Sequence, residues 1–198
     1  MTHLLLARHA ETDLAGRFCG RSDPELNEQG RQQLAGLVNR LSQHPISRVY
    51  TSDLRRARQT AEAIARHFGV GLHVRPGLRE IDFGIWEGLS WSEIEVRDPA
   101  RAKSWAEMYP NSTAPEGEPF QQFESRVRRE AAFLLGEAAN SPIAVVAHAG
   151  FIRVMLKKWC RISEQEAWDR TKDYGSIVAL DTNHIDRAGL RTADLNVL

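Results

Sequence analysis

The chain is poor in cysteine, in excess charge of either sign and in long apolar runs, and each shortage removes a class of function. Only Cys19 and Cys160 occur among 198 residues, too few for a disulfide framework and wrongly spaced for a zinc cluster or redox pair. A reduced, cytoplasmic setting is the expectation. Lys and Arg number 26 against 26 Asp and Glu, so no whole-chain field attracts nucleic acid or a membrane surface. The apolar segment Leu4-Leu5-Leu6-Ala7 is far shorter than the core of a signal peptide, and no run approaches the ~20 residues of a membrane span. The partner left is a small molecule, served by a local basic pocket. With 42% hydrophobic residues the chain can bury one core, and it reads as a single domain, 1–198, acting as a monomer or homodimer.

What is present alternates between two periods. After the first apolar run comes a Gly-rich polar loop, Gly16 to Asp23, and then Asn27, a helix cap ahead of the stripe Leu34, Leu37, Val38 and Leu41. Val49-Tyr50 starts a short strand. It leads into a helix over 54–68, with Ala57, Ala61, Ile64 and Phe68 inward and Gly69 as its stop. Leu72-His73-Val74 reads as an edge strand, and the stretch 78–88 as irregular. From Trp91 to Pro119 the chain gathers Trp105, Tyr109, Pro99, Pro110 and Pro115, a composition that suits a lid-like insertion over about 88–120. The aromatics from Trp86 to Tyr109 are read as packing rather than substrate contact. A helix follows over 120–140, with Phe123, Val127, Ala131 and Leu134 on one face, then a strand over 143–147 and a helical stretch from Phe151 to Leu156. Ile177 to Leu180 and Leu190 to Leu198 read as closing strands. The alternation implies an α/β fold, three-layer α/β/α, around a mostly parallel central sheet.

Two of the strands end on a histidine. Arg8-His9-Ala10-Glu11-Thr12 follows the first apolar run, and His148-Ala149-Gly150 follows Ile143-Ala144-Val145-Val146-Ala147. In open α/β sheets ligands bind beyond the carboxyl ends of the strands, where helix N-termini favour phosphate. The echo points to a two-histidine site. His3, His44, His67, His73 and His184 have no partners at ligand-like spacing and are treated as ordinary.

Four segments occur in order: Arg8-His9-Ala10-Glu11-Thr12, Thr51-Ser52-Asp53-Leu54-Arg55-Arg56-Ala57, Leu78-Arg79-Glu80 with Phe83-Gly84-Ile85-Trp86-Glu87-Gly88, and His148-Ala149-Gly150. Together they resemble the histidine phosphatase superfamily, also called phosphoglycerate-mutase-like, across most of the chain. The resemblance implies His9 as the phosphoryl acceptor, Arg8 and Arg56 as phosphate-holding cations, Glu80 as proton donor and His148 as the second pocket histidine. Thr12 and Ala149 would add donors, and Cys19 and Gly20 would lie on the substrate side of the polar loop. Asp82 is the alternative acid, Glu87 a residue that holds its loop, and Arg55 and Arg58 a solvated helix face.

The chemistry supports these types. A phosphomonoester carries nearly two negative charges at neutral pH, so its pocket needs cations and N–H donors. Arg56, in the first turn of its helix, would present both its side chain and free N–H groups to the anion. A histidine nucleophile must be neutral, which a pKa of about 6.5 allows and nearby arginines favour. Transfer to nitrogen divides hydrolysis into two easier steps, and this route uses neither metal nor cofactor. A carboxyl beside a dianionic phosphate favours its protonated form and can protonate the leaving alkoxide.

Within the superfamily, Pro115-Glu116-Gly117-Glu118-Pro119-Phe120 with Phe123, Arg126 and Val127 is similar to the segment of α-ribazole phosphatases of cobalamin nucleotide-loop assembly. It is also similar to that of broad-specificity and sugar-phosphate phosphatases. The expected substrate is a small phosphorylated metabolite, α-ribazole-5'-phosphate first. A phosphoglycerate mutase is the next alternative, although Phe83 and Trp91 stand where those enzymes carry a tyrosine and a lysine. A decayed, non-catalytic phosphate-binding module is the last. Asp13-Leu14-Ala15-Gly16 lacks the family's Trp-Asn pair, and Ala10 and Ala149 stand where glycine is commoner.

Overall fold

The structure, a computed structural model, describes residues 4–109, 112–182 and 195–197. Its centre is a six-stranded sheet built from β1 (Leu4–Arg8), β2 (Arg48–Thr51), β3 (Gly71–Val74), β4 (Ile143–Ala147), β5 (Ile177–Leu180) and β6 (Leu195–Val197), in the order β3-β2-β4-β1-β5-β6. The first four in that order run parallel. β5 pairs antiparallel with β1, and β6 with β5. The mostly parallel sheet expected from the sequence is present. Of the closing strand expected over 190–198, Leu195–Val197 is described, and 190–194 and 198 lie outside the described residues.

The period of two in β1 sorts its side chains between two helical layers. Leu5 and Ala7 pack with Leu37, Val38 and Leu41 of α1 (Glu28–Leu41) and with Ala57, Ala61 and Ile64 of α2 (Arg55–Phe68). Leu4 and Leu6 face the opposite way, towards Phe123, Val127 and Leu134 of α5 (Phe120–Asn140) and Phe151 and Met155 of α6 (Ala149–Met155). Leu6 is fully buried, so truncating it to alanine would cost about 2–5 kcal/mol. The helix ends follow the expected caps. Asn27 accepts from the Gly30 N–H at 2.7 Å, and Gly69 closes α2 at φ 64°, a left-handed conformation in which glycine carries no Cβ penalty.

This topology puts the two histidines side by side. β1 and β4 are neighbours in register, with Arg8 opposite Ala147, and the His9 N–H donates to the Ala147 carbonyl at 3.0 Å. The chain leaves β1 for the layer of α1 and α2, whereas β4 runs into α6 on the other face. Their C-terminal ends therefore flank a switch point, where the crossovers part and leave a crevice.

The 88–120 segment is more regular than its prolines suggest. Ser90 and Glu93 form a reciprocal capping box that starts α3 (Trp91–Arg97), and Asp98 caps α4 (Pro99–Met108) with Pro99 in its first turn. Proline at that position sacrifices no intrahelical N–H, so it starts a helix where composition alone suggested a loop. Pro110 lies outside the described residues. In the stretch 78–88, read as irregular, single 3-10 turns at Pro76–Leu78 and Gly84–Trp86 punctuate loop.

Candidate active site

His9 is buried at the end of β1, and its Nδ1 lies 2.7 Å from the Ala10 carbonyl oxygen. A carbonyl can only accept, so this contact assigns the ring proton to Nδ1 and the lone pair to Nε2. Arg56 Nε donates to Nε2 at 3.3 Å. Burial first, then the charges of Arg56 and Arg8, hold the His9 pKa well below 6.5, so the ring is neutral at neutral pH. The His148 ring centroid is 5.0 Å away. Its Nε2 pairs with the Ser52 hydroxyl at 2.8 Å, and Nδ1 is buried with no partner among the described residues. Burial, followed by Arg56, likewise keeps His148 well below 6.5.

Arg56 is fully buried. Beyond His9, its guanidinium donates to the carbonyls of Ser22 at 2.6 Å, Cys19 at 3.1 Å and Gly20 at 3.0 Å. The polar loop thus serves as a socket for this arginine. The helix start differs from expectation: the Arg55 N–H donates to the Asp23 carboxylate at 2.6 Å, so one N–H of the first turn of α2 is already taken by a side chain. Arg8 is held from another side, by the Thr171 carbonyl at 3.0 Å and the Lys172 carbonyl at 2.5 Å, with its Cζ 3.8 Å above the Tyr174 ring. Its Nε is buried without a partner among the described residues.

Glu80 and Glu87 occupy very different surroundings. Glu87 accepts from the N–H groups of Gly20, Arg21, Ser22 and Phe83 at 2.9–3.1 Å. Burial pushes its carboxyl up, but the bonds from Ser22, Arg21 and Phe83 outweigh it and hold the pKa below the ordinary value. Glu87 therefore ties the 20–22 loop, the Arg56 socket, to its own block. Glu80 is buried on the cavity wall, where Oε2 accepts the Gly150 N–H at 2.8 Å and Oε1 its neighbour Ile81's N–H at 2.9 Å. A Cβ on Gly150 would run into that carboxylate. Asp82 is engaged by the Gly84 N–H at 2.8 Å and Arg21 at 3.5 Å.

Arg8, His9, Thr12, Cys19, Glu80, Asp82 and Ala149 all line one cavity of about 690 Å³. Gly20 does not. It is buried, its N–H is committed to Glu87 and its carbonyl to Arg56, and a Cβ there would strike the Ile81 carbonyl. Gly20 holds the cation rather than the substrate. The Thr12 hydroxyl accepts from the Leu14 N–H at 3.3 Å, and burial pushes the Cys19 thiol up to about 11, which keeps it neutral. Arg55 and Arg58 pair with Glu25 and Glu62 on the exposed surface. His67 bonds Ser42, and His73 stacks on Tyr50. His3 and His184 lie outside the described residues.

Sequence reasoning missed Thr171, Tyr174, Arg153 and the role of Gly150. Thr171 grips two guanidinium groups, Arg8 through its carbonyl and Arg153 through its hydroxyl at 2.8 Å. Arg153 lines the cavity and lies 3.8 Å over the Trp168 ring. The i, i+4 spacing from Ala149 was the available signal for Arg153, whereas Thr171 and Tyr174 sit in a loop without periodicity. The aromatics also divide. Trp86 is buried packing, while Phe18, Phe83, Trp91, Trp105 and Tyr109 face the cavity.

Comparison with known proteins places this geometry among relatives. Residues 4–194 match the Histidine phosphatase superfamily (branch 1). A bifunctional protein of Mycobacterium tuberculosis is 36% identical over 159 residues, 79% of this chain and 43% of that protein. The chain thus spans under half the length of that relative. The adenosylcobalamin/alpha-ribazole phosphatase of Salmonella typhimurium is 29% identical over 180 residues, 90% of this chain and 89% of the relative. The crystal structure of the alpha-ribazole phosphatase from Shigella flexneri superposes with a TM-score of 0.83 at 27% identity, covering 98% of this chain and 95% of the other.

Proposed function

The chain belongs to the histidine phosphatase superfamily (branch 1), and on that premise we propose that its site hydrolyses phosphomonoesters through a phosphohistidine on His9. The observation that carries this reading is the His9 ring on the cavity wall: neutral and protonated on Nδ1, which leaves the lone pair on Nε2, where it accepts the long Arg56 Nε–H bond at 3.3 Å that a bound phosphate would compete for. Nε2 attacks phosphorus, and the N–P bond forms as the ester P–O bond breaks. Glu80 gives its proton to the departing alkoxide. Water then attacks phosphorus, the N–P bond breaks, and the Glu80 carboxylate takes the proton from that water. With Ser52 donating to His148 Nε2, the unpartnered Nδ1 carries the ring proton and offers it to the transferring phosphoryl group. Arg8, Arg56 and the Ala149 N–H stabilise the same charge.

Within this class we assign α-ribazole-5'-phosphate as the leading substrate. The activities by which the Salmonella and Shigella relatives are known support it, as does their near full-length coverage. The test is phosphate release, without added metal, from a panel of phosphomonoesters that includes α-ribazole-5'-phosphate, ribose 5-phosphate and 3-phosphoglycerate. α-Ribazole-5'-phosphate is expected to give the highest kcat/KM. A uniform response across the panel would replace that assignment with a broad-specificity phosphatase, and no release from any member would sink the hydrolase. Glu80→Gln should slow alkyl phosphates far more than aryl phosphates, whose leaving groups need less protonation. Equal losses would move the acid role elsewhere, Asp82 first.

A further inference from the structure

Glu80 lies in a stretch, 79–83, that runs between the 3-10 turns Pro76–Leu78 and Gly84–Trp86 and joins no sheet ladder. Backbone outside a ladder must find its partners elsewhere. Arg126 of α5 supplies them. Its Nη1 donates to the carbonyls of Gly77 at 2.9 Å and Arg79 at 2.7 Å, and its Nη2 to that of Glu80 itself at 3.2 Å. The rest of the guanidinium is spent on Glu118, with Nε donating to Oε1 at 3.1 Å and Nη2 to Oε2 at 2.6 Å. The two side chains are only 13% and 12% exposed, so the pair is shielded from the solvent that makes surface ion pairs weak.

The same face of α5 completes the grip. Glu130, one turn further along the helix, accepts from Arg75 at 2.7 Å, and Gly77 lies so near that a Cβ there would strike its carboxylate. Glu118 stands near the end of the 88–120 insertion, and its N–H donates to the Asp82 carbonyl at 3.0 Å. Arg126 therefore joins α5, the returning insertion and the backbone of Glu80. Neither Arg126 nor Glu118 lines the cavity, so any part they take in the chemistry passes through Glu80. On its far side Glu80 accepts the N–H of Gly150, the second residue of α6, where a helix offers no carbonyl of its own. A shift of the Glu80 backbone is felt at that bond.

We propose that Arg126 is a positioning residue for the proton donor: clamped by Glu118, its guanidinium fixes the backbone of 77–80 so that the Glu80 carboxyl stays against Gly150 and within reach of the leaving oxygen. The proton-transfer part of this inference rests on the phosphatase reading. Arg126→Met leaves the Glu118 carboxylate buried without its cation, so Arg126→Lys is the informative variant: an ammonium keeps the charge but lacks the planar fork that joins carbonyls and carboxylate at once. It should lower kcat on alkyl phosphates about tenfold and on aryl phosphates severalfold less, with either KM changed by less than about twofold. Because Arg126 acts through Glu80, adding Arg126→Lys to Glu80→Gln should cost no more than about a further twofold on alkyl phosphates. Equal losses on the two classes of ester, or a full tenfold added to Glu80→Gln, would overturn the positioning role.

A second measurement is independent of turnover. Amide hydrogen exchange at Gly150 reports the Glu80 contact, whereas Ile152, whose N–H donates to the His148 carbonyl at 3.0 Å, reports the helix itself. Arg126→Lys should speed exchange at Gly150 about tenfold relative to Ile152. Equal acceleration at both amides, or none at Gly150, would overturn the clamp on Glu80. Selective acceleration in a protein whose wild type hydrolyses neither class of ester would keep the clamp and sink the phosphatase reading, whereas hydrolysis with neither a leaving-group split nor selective exchange in the variant would do the reverse.

Discussion

The floor and the wall of the cavity are built on opposite plans. On the floor, each reacting group is fixed by backbone: His9 by the Ala10 carbonyl, Arg56 by three carbonyls of the 19–22 loop, Arg8 by those of Thr171 and Lys172, and Glu80 by the Gly150 N–H. The wall is held by side chains packed on side chains, with Phe18, Phe83, Trp91 and Trp105 partly buried against a small cluster of their own. A floor of that kind holds charge and geometry in place, as phosphoryl transfer needs. A wall of rings supplies area and shape with little directional demand. The difference separates reaction from selection: damage to the floor should remove chemistry for every substrate, and damage to the wall should change which substrate is preferred.

The largest expected effect is on the floor. His9→Ala should lower turnover of aryl and alkyl phosphates alike by about 10³-fold or more, since no second nucleophile completes the step; a selective loss on one class would blur floor and wall. Next comes Gly150→Ala, which drives a methyl into the Glu80 carboxylate. It should cost roughly tenfold on alkyl phosphates and less on aryl phosphates, the split expected of a displaced proton donor. Steady-state rates on the two classes check it, and an equal loss would mean that α6 itself had moved.

The pH dependence of stability sharpens the same contrast, because His9 and His148 belong to the floor. Both are held well below 6.5, by burial first. Between their folded values and about 6.5 the unfolded chain binds more protons than the folded one, so stability rises with pH through that window. The stabilisation is complete above about 6.5 and is lost as pH falls through the folded pKa values. The urea midpoint should therefore drop on acidification from pH 7.5 to 5.5, less steeply in His148→Asn. A midpoint insensitive to pH, or an unaltered slope in the variant, would contradict the buried neutral pair. Smallest of all is Trp91→Leu on the wall, expected to raise KM a few-fold for α-ribazole-5'-phosphate with kcat nearly constant, as loss of uniform binding requires.

The floor was far more legible in sequence than the wall. At His148 strand, histidine and helix follow each other directly, at His9 a polar loop comes before α1, and the burial of β1 and β4 on both faces follows from their apolar residues. Glu87 as a loop holder was also readable, since a carboxylate in a Gly-flanked turn finds backbone donors. Gly20 was misread because the sequence shows that a glycine lies in a loop, not which backbone approaches it. Arg56 was expected to share the first turn of its helix with free N–H groups, but the Arg55 N–H there is taken by Asp23, a residue distant in sequence whose reach only the fold discloses. Arg153, Thr171 and Tyr174 depend on the closure of the loop before β5 against β1. For the wall, a tryptophan that packs and one that lines a cavity have the same local pattern. Trp86 and Trp105 separate only when their burial is known.

The central claim is phosphoryl transfer to His9, and trapping the covalent intermediate tests it most directly. Enzyme mixed with a ³²P-labelled phosphomonoester and quenched under alkaline denaturing conditions should carry acid-labile, base-stable label on the peptide containing His9, and His9→Ala should carry none. Label that persists in His9→Ala, or maps to His148 or another residue, would contradict the account.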